Sequence, residues 1–291
     1  MDYFEIKVSC QKSDCESLQQ TFESLGACSV TYRDAEDVAI LEPAPGELPL
    51  WQKLDVTGMF TAEFDKKKLL ARIQHDYPDS PVLCKDLENQ VWERVWLKHF
   101  KPMKFGNSTW IIPSEYETPD KTGVNIYLDP GLAFGTGTHA TTALCLKWID
   151  ENNLVSKTVM DFGCGSGILA IAALKHKAKK VYCTDIDQQA IESTKNNAEV
   201  NSVLDGIEFL EPKNFKQVEQ QDVILANILA APLMSLVETF DQFLKPQGEI
   251  IMSGILAEQE TELLEAFQSH FVDFKVERQD DWISVHARKK S

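Results

Sequence analysis

Residues 159–170 read Val-Met-Asp-Phe-Gly-Cys-Gly-Ser-Gly-Ile-Leu-Ala. An apolar run passes through three alternate glycines and leaves as a series of small and aliphatic residues. That order is strand, tight turn, helix. Gly163, Gly165 and Gly167 can take positive φ and let a ligand approach the backbone where a Cβ would otherwise stand. The helix that follows turns free N–H groups and the positive end of its dipole toward the turn. From Thr158 onward the pattern alternates without a break. Strands are expected over 158–162, 180–185, 207–210, 222–226 and 249–253, and helices near 168–175, 187–200, 230–243 and 258–269. Alternation of this kind needs crossover helices and a parallel, doubly wound α/β sheet. The last two strands, 274–278 and 282–287, have no helix between them and form a hairpin through Gln279-Asp280-Asp281, so one strand must run antiparallel.

The glycine spacing narrows the ligand. A dinucleotide fingerprint reads G-x-G-x-x-G, whereas here the third glycine comes one residue early and Ile168 stands in its place. The next apolar strand, Val181-Tyr182-Cys183-Thr184, ends in Asp185, where an acid can accept hydrogen bonds from two ribose hydroxyls. The pair describes a nucleoside crevice with no pyrophosphate to cradle. It resembles the cofactor site of class I methyltransferases, which bind S-adenosylmethionine. A nicotinamide-binding fold would continue strand, helix, strand instead of closing on a hairpin.

Upstream lies a second loop, residues 129–142, Asp-Pro-Gly-Leu-Ala-Phe-Gly-Thr-Gly-Thr-His-Ala-Thr-Thr, leading into a helix expected from about Thr138 to Glu151. Its hydroxyls and backbone N–H groups suit a loop folded over a ligand in the neighbouring crevice. A phosphate-binding loop is ruled out because no Gly-Lys-Ser/Thr follows.

Residues 1–90 read as a small α+β unit. Tyr3 to Val8 alternates as a strand, Asp14 to Leu25 has helical spacing, 29–33 and 38–41 are strand-like, and a further strand lies around 53–60. A helix over 65–76 and a last strand near 81–85 complete β-α-β-β-α-β, the ferredoxin-like pattern. Residues 91–113 are short, basic and aromatic, with Trp92 and Trp96 placed to share a helix face, and read as a linker. Residues 114–291 form the remaining domain.

Net charge is −16, and residues 1–90 hold 17 acidic against 9 basic side chains. Phosphate binding needs a basic face, so a nucleic-acid partner is not expected. A basic protein partner would be steered favourably. No apolar run approaches membrane-spanning length, and the N-terminus alternates like a strand, not like a signal peptide. Seven scattered cysteines form neither C-x-x-C nor a zinc spacing, so free thiols in a reducing cytoplasm are expected, and no metal.

These motifs together identify a family. The loop LDPGLAFGTGTHATT (128–142), VMDFGCGSG (159–167), DVILANILAAPL (222–233) and Trp-Glu-Arg-Val-Trp (92–96) resemble the ribosomal protein L11 methyltransferases of the PrmA type. Ala140 departs from the proline usual at that position. The resemblance spans essentially the whole chain. It implies a seven-stranded Rossmann-like methyltransferase sheet behind a small ferredoxin-like substrate-recognition domain. It also implies a cytoplasmic enzyme that moves methyl groups from S-adenosylmethionine to the N-terminal α-amine and lysine ε-amines of L11, leaving S-adenosylhomocysteine. The family's cofactor contacts fall on Thr142, Gly163, Asp185 and Asn227, with Gly165, Phe134 and Thr138 as neighbours. Amine methyltransferases often carry Asn-Pro-Pro-Tyr where this chain has Asn227-Ile228-Leu229. There the Asn oxygen and the next carbonyl accept from the amine; Asn227 keeps the first acceptor and the Ile228 carbonyl can be the second, with contact to the amine, the cofactor or both open and amine placement the favoured role. His139 is read as ordering its loop, not as a base.

Overall fold

The computed structural model describes residues 3–36, 50–87, 101–128, 137–210 and 218–291, and the chain divides into two compact units, Met1–Val95 and Trp96–Ser291. In the first, β1 (Tyr3–Gln11), α1 (Cys15–Ser24), β2 (Ser29–Asp34), β3 (Lys53–Thr61), α2 (Lys66–Asp76) and β4 (Val82–Leu87) follow one another, with sheet order β2-β3-β1-β4 and every pairing antiparallel. The two-residue period of β1 and β3 puts Phe4, Ile6, Val8, Leu54, Val56 and Phe60 on one buried face. Against it lie Cys15, Leu18 and Phe22 of α1 and Leu69 and Ile73 of α2. Asp65 starts α2 by accepting from the backbone N–H groups of Lys67 and Lys68. The strand read over 38–41 lies outside the described residues.

The second unit opens with β5 (Met103–Phe105), β6 (Thr109–Ile112) and β7 (Val124–Tyr127), a separate three-stranded sheet. Residues 103–112, inside the span read as linker, are therefore a hairpin of this unit. The reason is a carboxylate. Asp150 accepts from the Asn107 N–H (2.5 Å), the Ser108 N–H (3.0 Å) and hydroxyl (2.7 Å), and the Thr109 hydroxyl (2.7 Å). Burial works against its charge, but these bonds win and hold the carboxyl down at about 2. Trp92 and Trp96 lie outside the described residues.

Then come α3 (Ala140–Glu151), β8 (Thr158–Phe162), α4 (Ile168–Lys175), β9 (Lys180–Thr184), α5 (Gln188–Val200), β10 (Ile207–Phe209), β11 (Gln221–Asn227), α6 (Ala230–Ser235), α7 (Val237–Phe243), β12 (Leu244–Leu256), α8 (Glu260–Phe267), β13 (Phe271–Gln279) and β14 (Trp282–Lys289). They build a seven-stranded sheet in the order β10-β9-β8-β11-β12-β14-β13. The first five strands are parallel, and β14 is antiparallel to both its neighbours. The expected hairpin turns at Asp280 and Asp281. The central strands are buried on both faces. Val159, Val223 and Leu225 pack with α3 and α4, while Met160, Ile224 and Ala226 pack with α6, α7 and α8. The helix read over 230–243 is two helices, because the ladder tightens at Leu236, whose N–H reaches only as far back as Leu233. From β8 the chain winds out to β9 and β10, then returns to β11 on the other side of β8. Ligands of such sheets bind outside the carboxyl ends of the strands at this reversal.

At the opposite end of the strands, Glu249 accepts from Lys157 (2.6 Å) and contacts His286 (3.2 Å). The bond to His286, then that to Lys157, outweigh burial and hold Glu249 down at about 2. A depressed acid stabilises the fold above its ordinary pKa of 4.5 and loses that contribution as pH falls toward 2. Glu249→Gln is expected to be less stable at pH 7 by roughly 1–2 kcal/mol, after discounting for partial exposure. The gap should shrink as pH drops below 4.5. Melting curves of the two proteins across that range check it, and a constant gap contradicts it.

Candidate functional site

Strand β8 runs into the turn at Phe162, and Gly163, Gly165 and Gly167 sit at φ +76°, +55° and +78°. L side chains are strained in that region, so the glycines are required by the backbone itself. The N–H groups of Gly163 (2.9 Å) and Cys164 (3.1 Å) both donate to the Thr184 carbonyl, tying the turn to the end of β9. One residue on, Asp185 accepts from the Gly165 N–H through Oδ2 (2.9 Å) and from the Asp187 N–H through Oδ1 (3.0 Å). A carboxylate has about four acceptor sites, so each oxygen keeps capacity for one more donor. Two side chains of α5 brace the turn: Thr194 donates to the Gly165 carbonyl (3.0 Å) and Asn197 to the Ser166 carbonyl (2.8 Å). Next to Asp185, Ile186 is 99% exposed.

On the other flank of β8, Ala226 of β11 pairs with Phe162, so Asn227 ends its strand beside the turn. Its Nδ2 donates to the Thr142 hydroxyl at 3.3 Å, and its Oδ1 is buried with no hydrogen-bond partner among the described residues. An orphaned buried carbonyl costs about 1–3 kcal/mol. Thr142 is itself fully buried in the first turn of α3. That helix begins at Ala140 and not at Thr138, because His139 is its N-cap. The ring nitrogen of His139 accepts from the Thr141 N–H (3.4 Å) and lies 2.8 Å from the Thr141 hydroxyl. The ring also meets Trp282 edge-on, with centroids 4.8 Å apart.

The structure thus gathers Thr142, Gly163, Gly165, Asp185 and Asn227 at the carboxyl ends of β8, β9 and β11. Asp185 and Asn227 lie on opposite flanks of β8, two strand spacings or roughly 10 Å apart. Thr138 precedes α3 by two residues and is exposed. Phe134 lies outside the described residues. Ile186 and Asp161 went unread in the sequence. Ile186 is the single apolar residue in Asp185-Ile186-Asp187, and Asp161 is an acid within the otherwise apolar β8.

Asp161 is fully buried under the turn and accepts from the Ala170 N–H at 2.9 Å. Burial pushes its carboxyl up to about 7; the Ala170 bond opposes this, and the charge of Asp185 adds to it. Burial likewise raises the thiols of Cys145 and Cys183, with the Asp161 charge acting in the same direction. Between the ordinary pKa of 3.8 and about 7 the folded chain holds a proton that the unfolded chain has lost. Stability therefore falls as pH rises through that window. Asp161→Asn keeps an acceptor for Ala170 and lacks this slope. Its melting temperature is expected to gain on wild type between pH 5 and about 7.5, and parallel curves contradict the burial argument.

Comparison with known proteins bears on the family. The family profile described as Ribosomal protein L11 methyltransferase (PrmA) matches residues 2–290. A ribosomal protein L11 methyltransferase of Acinetobacter baylyi is 44% identical over 301 residues, spanning 100% of this chain and 99% of that protein. The protein of that name from Glaesserella parasuis serovar 5 is 44% identical over 293 residues, spanning 100% of both. The crystal structure of a ribosomal protein L11 methylase from Lactobacillus delbrueckii subsp. bulgaricus matches with a TM-score of 0.61 at 34% identity, covering 66% of this chain and 100% of that one. With the switch-point site on a seven-stranded sheet and likeness along its full length, the chain belongs to the ribosomal protein L11 methyltransferase (PrmA) family.

Proposed function

We propose that this enzyme transfers methyl groups from S-adenosylmethionine to the N-terminal α-amine and lysine ε-amines of ribosomal protein L11. The observation that carries the reading is the buried Oδ1 of Asn227 at the sheet's switch point, unpartnered among the described residues. An acceptor kept dry and unpaired has its stabilising partner in a bound donor, and an amine N–H is such a donor.

The residues fit the cofactor. Asp185 has capacity for the two ribose hydroxyls. Ile186 offers an apolar face to a purine. Gly165 presents bare backbone at the turn, Gly163 is already covered by the Ile228 side chain, and Thr142 and Thr138 are assigned with them; the assignment of Phe134 rests on the family resemblance alone. When bound, S-adenosylmethionine supplies a methyl group already activated by the sulfonium. The protein's part is positioning and exclusion of water. A free lysine titrates near ~10.4 and must shed a proton before it can attack. Burial disfavours the ammonium and brings the neutral amine within reach. Asn227 Oδ1 accepts one amine N–H and so aims the lone pair. His139 is spent on capping α3, so no side chain is assigned as an obligate base.

The first unit is read as a ferredoxin-like substrate-recognition domain. Its sheet order β2-β3-β1-β4, with two helices on one buried face, supports that reading. Its acidic balance suits a basic ribosomal protein and disfavours nucleic acid. A cytoplasmic setting follows from the ribosomal substrate and is consistent with seven unpaired cysteines. Among the described residues no helix is long and apolar enough to cross a membrane.

Two variants separate the roles. Asp185→Ala is expected to weaken S-adenosylmethionine binding roughly 10- to 100-fold in titration calorimetry, the worth of one to two bonds to a charged acceptor. Asn227→Ala is expected to lower kcat on L11 about 100-fold. Wild-type cofactor affinity in the first, or wild-type kcat in the second, would refute the corresponding role.

A further inference from the structure

We propose that Gly254 is a positioning residue for the reacting amine, acting through the Ile228 peptide on Asn227. The inference rests on the assignment of Asn227 as the amine acceptor. Three observations carry it.

The first is at Gly254 itself. It lies within β12 yet takes φ +84°, where an L side chain is strained. A Cβ built there would overlap the Ile228 carbonyl oxygen and stand 2.8 Å from its carbon and 3.3 Å from the Ile228 nitrogen. The Ile228 peptide is therefore seated on the bare backbone of Gly254.

The second is the fixing of that seat. Asn227 pairs with Ser253 across the parallel β11–β12 ladder. On the other side of β12, the register against β14 shifts between Met252 and Ile255, which makes residues 253–254 a bulge. The bulge is pinned: the fully buried Ser253 donates its hydroxyl to the Ile283 carbonyl at 2.9 Å. Bulges re-aim the chain next to them. Here the adjacent chain is the one carrying the unpaired Asn227 Oδ1.

The third is at the opposite side of Ile228. Its side-chain Cγ2 occupies the place a Cβ would take on Gly163, the first glycine of the turn. Ile228 is thus wedged between two glycines, its side chain on the cofactor turn and its carbonyl on Gly254. That wedge sets where Asn227 stands relative to the turn. It also turns the Ile228 carbonyl, the expected second acceptor, onto β12.

Gly254→Ala pushes the Ile228 peptide away and displaces Asn227 with it. Misplacement near 1 Å costs about 100-fold in rate. In the full-length chain, kcat on ribosomal protein L11 is expected to fall at least about tenfold, with S-adenosylmethionine affinity by calorimetry held within about threefold. The decisive readout is a double-mutant cycle with Asn227→Ala. If Gly254 works through Asn227, the double variant is no slower than Asn227→Ala alone. A merely structural glycine would give multiplied losses. Ser253→Ala removes only the pinning hydroxyl and serves if Gly254→Ala does not fold; it should lose several-fold in kcat with the same lack of multiplication. Unchanged kcat in the folded Gly254→Ala protein, or in Ser253→Ala if Gly254→Ala does not fold, or multiplied losses in the cycle, would overturn the inference. Wild-type kcat in Asn227→Ala alone would overturn the acceptor assignment beneath it, a failure visible without any change at Gly254.

Discussion

Everything in the second unit depends on the position of β8 between two parallel neighbours reached from opposite directions. A parallel strand cannot be continued by a tight turn; it needs a crossover. Crossovers of one hand carry the chain from β8 outward to β10, and the return to β11 opens the crevice on the other flank. The turn that closes the top of β8 alternates glycine with the buried Cys164 and Ser166. Asp185 reaches it from β9 and Asn227 stands beside it on β11. The site is a consequence of sheet topology, filled in by a few polar residues at three strand ends.

Those polar residues are held at some energetic cost. Asp161 sits in a fully buried place where its carboxyl is pushed toward neutrality, and the dry carbonyl of Asn227 has no partner among the described residues. Local rules are broken where function is concentrated, and the surroundings offset the loss. Here the compensation is packing. The strands that carry these groups are buried on both faces between α3–α4 and α6–α8. The antiparallel closing pair β13–β14 also reaches the site, through Trp282 against His139 and the Ile283 carbonyl against Ser253.

Most of this architecture was readable in sequence, because period and punctuation are local. The alternation from Thr158, the closing hairpin and the first unit's element order all followed from spacing. So did the gathering of Gly163, Gly165 and Asp185, which lie within 23 residues of one another. What escaped was non-local or short. β5 is three residues long, and its place in the second unit is decided by Asp150, more than 40 residues downstream. The amide of Asn227 is oriented by a bond to Thr142, 85 residues away, which spacing does not announce. Gly254 looks like any glycine in a strand until the Ile228 peptide is seen against it. The break at Leu236 has no glycine or proline at that position to announce it.

The central claim is that this sheet and its switch-point acceptor methylate amines of one basic ribosomal protein. Mass spectrometry of purified ribosomal protein L11, after incubation with this chain and S-adenosylmethionine, tests it most directly. The account predicts mass gains in whole methylene units, mapping to the N-terminal α-amine and to lysines. An unmodified L11, under conditions where calorimetry shows the cofactor bound, would contradict it.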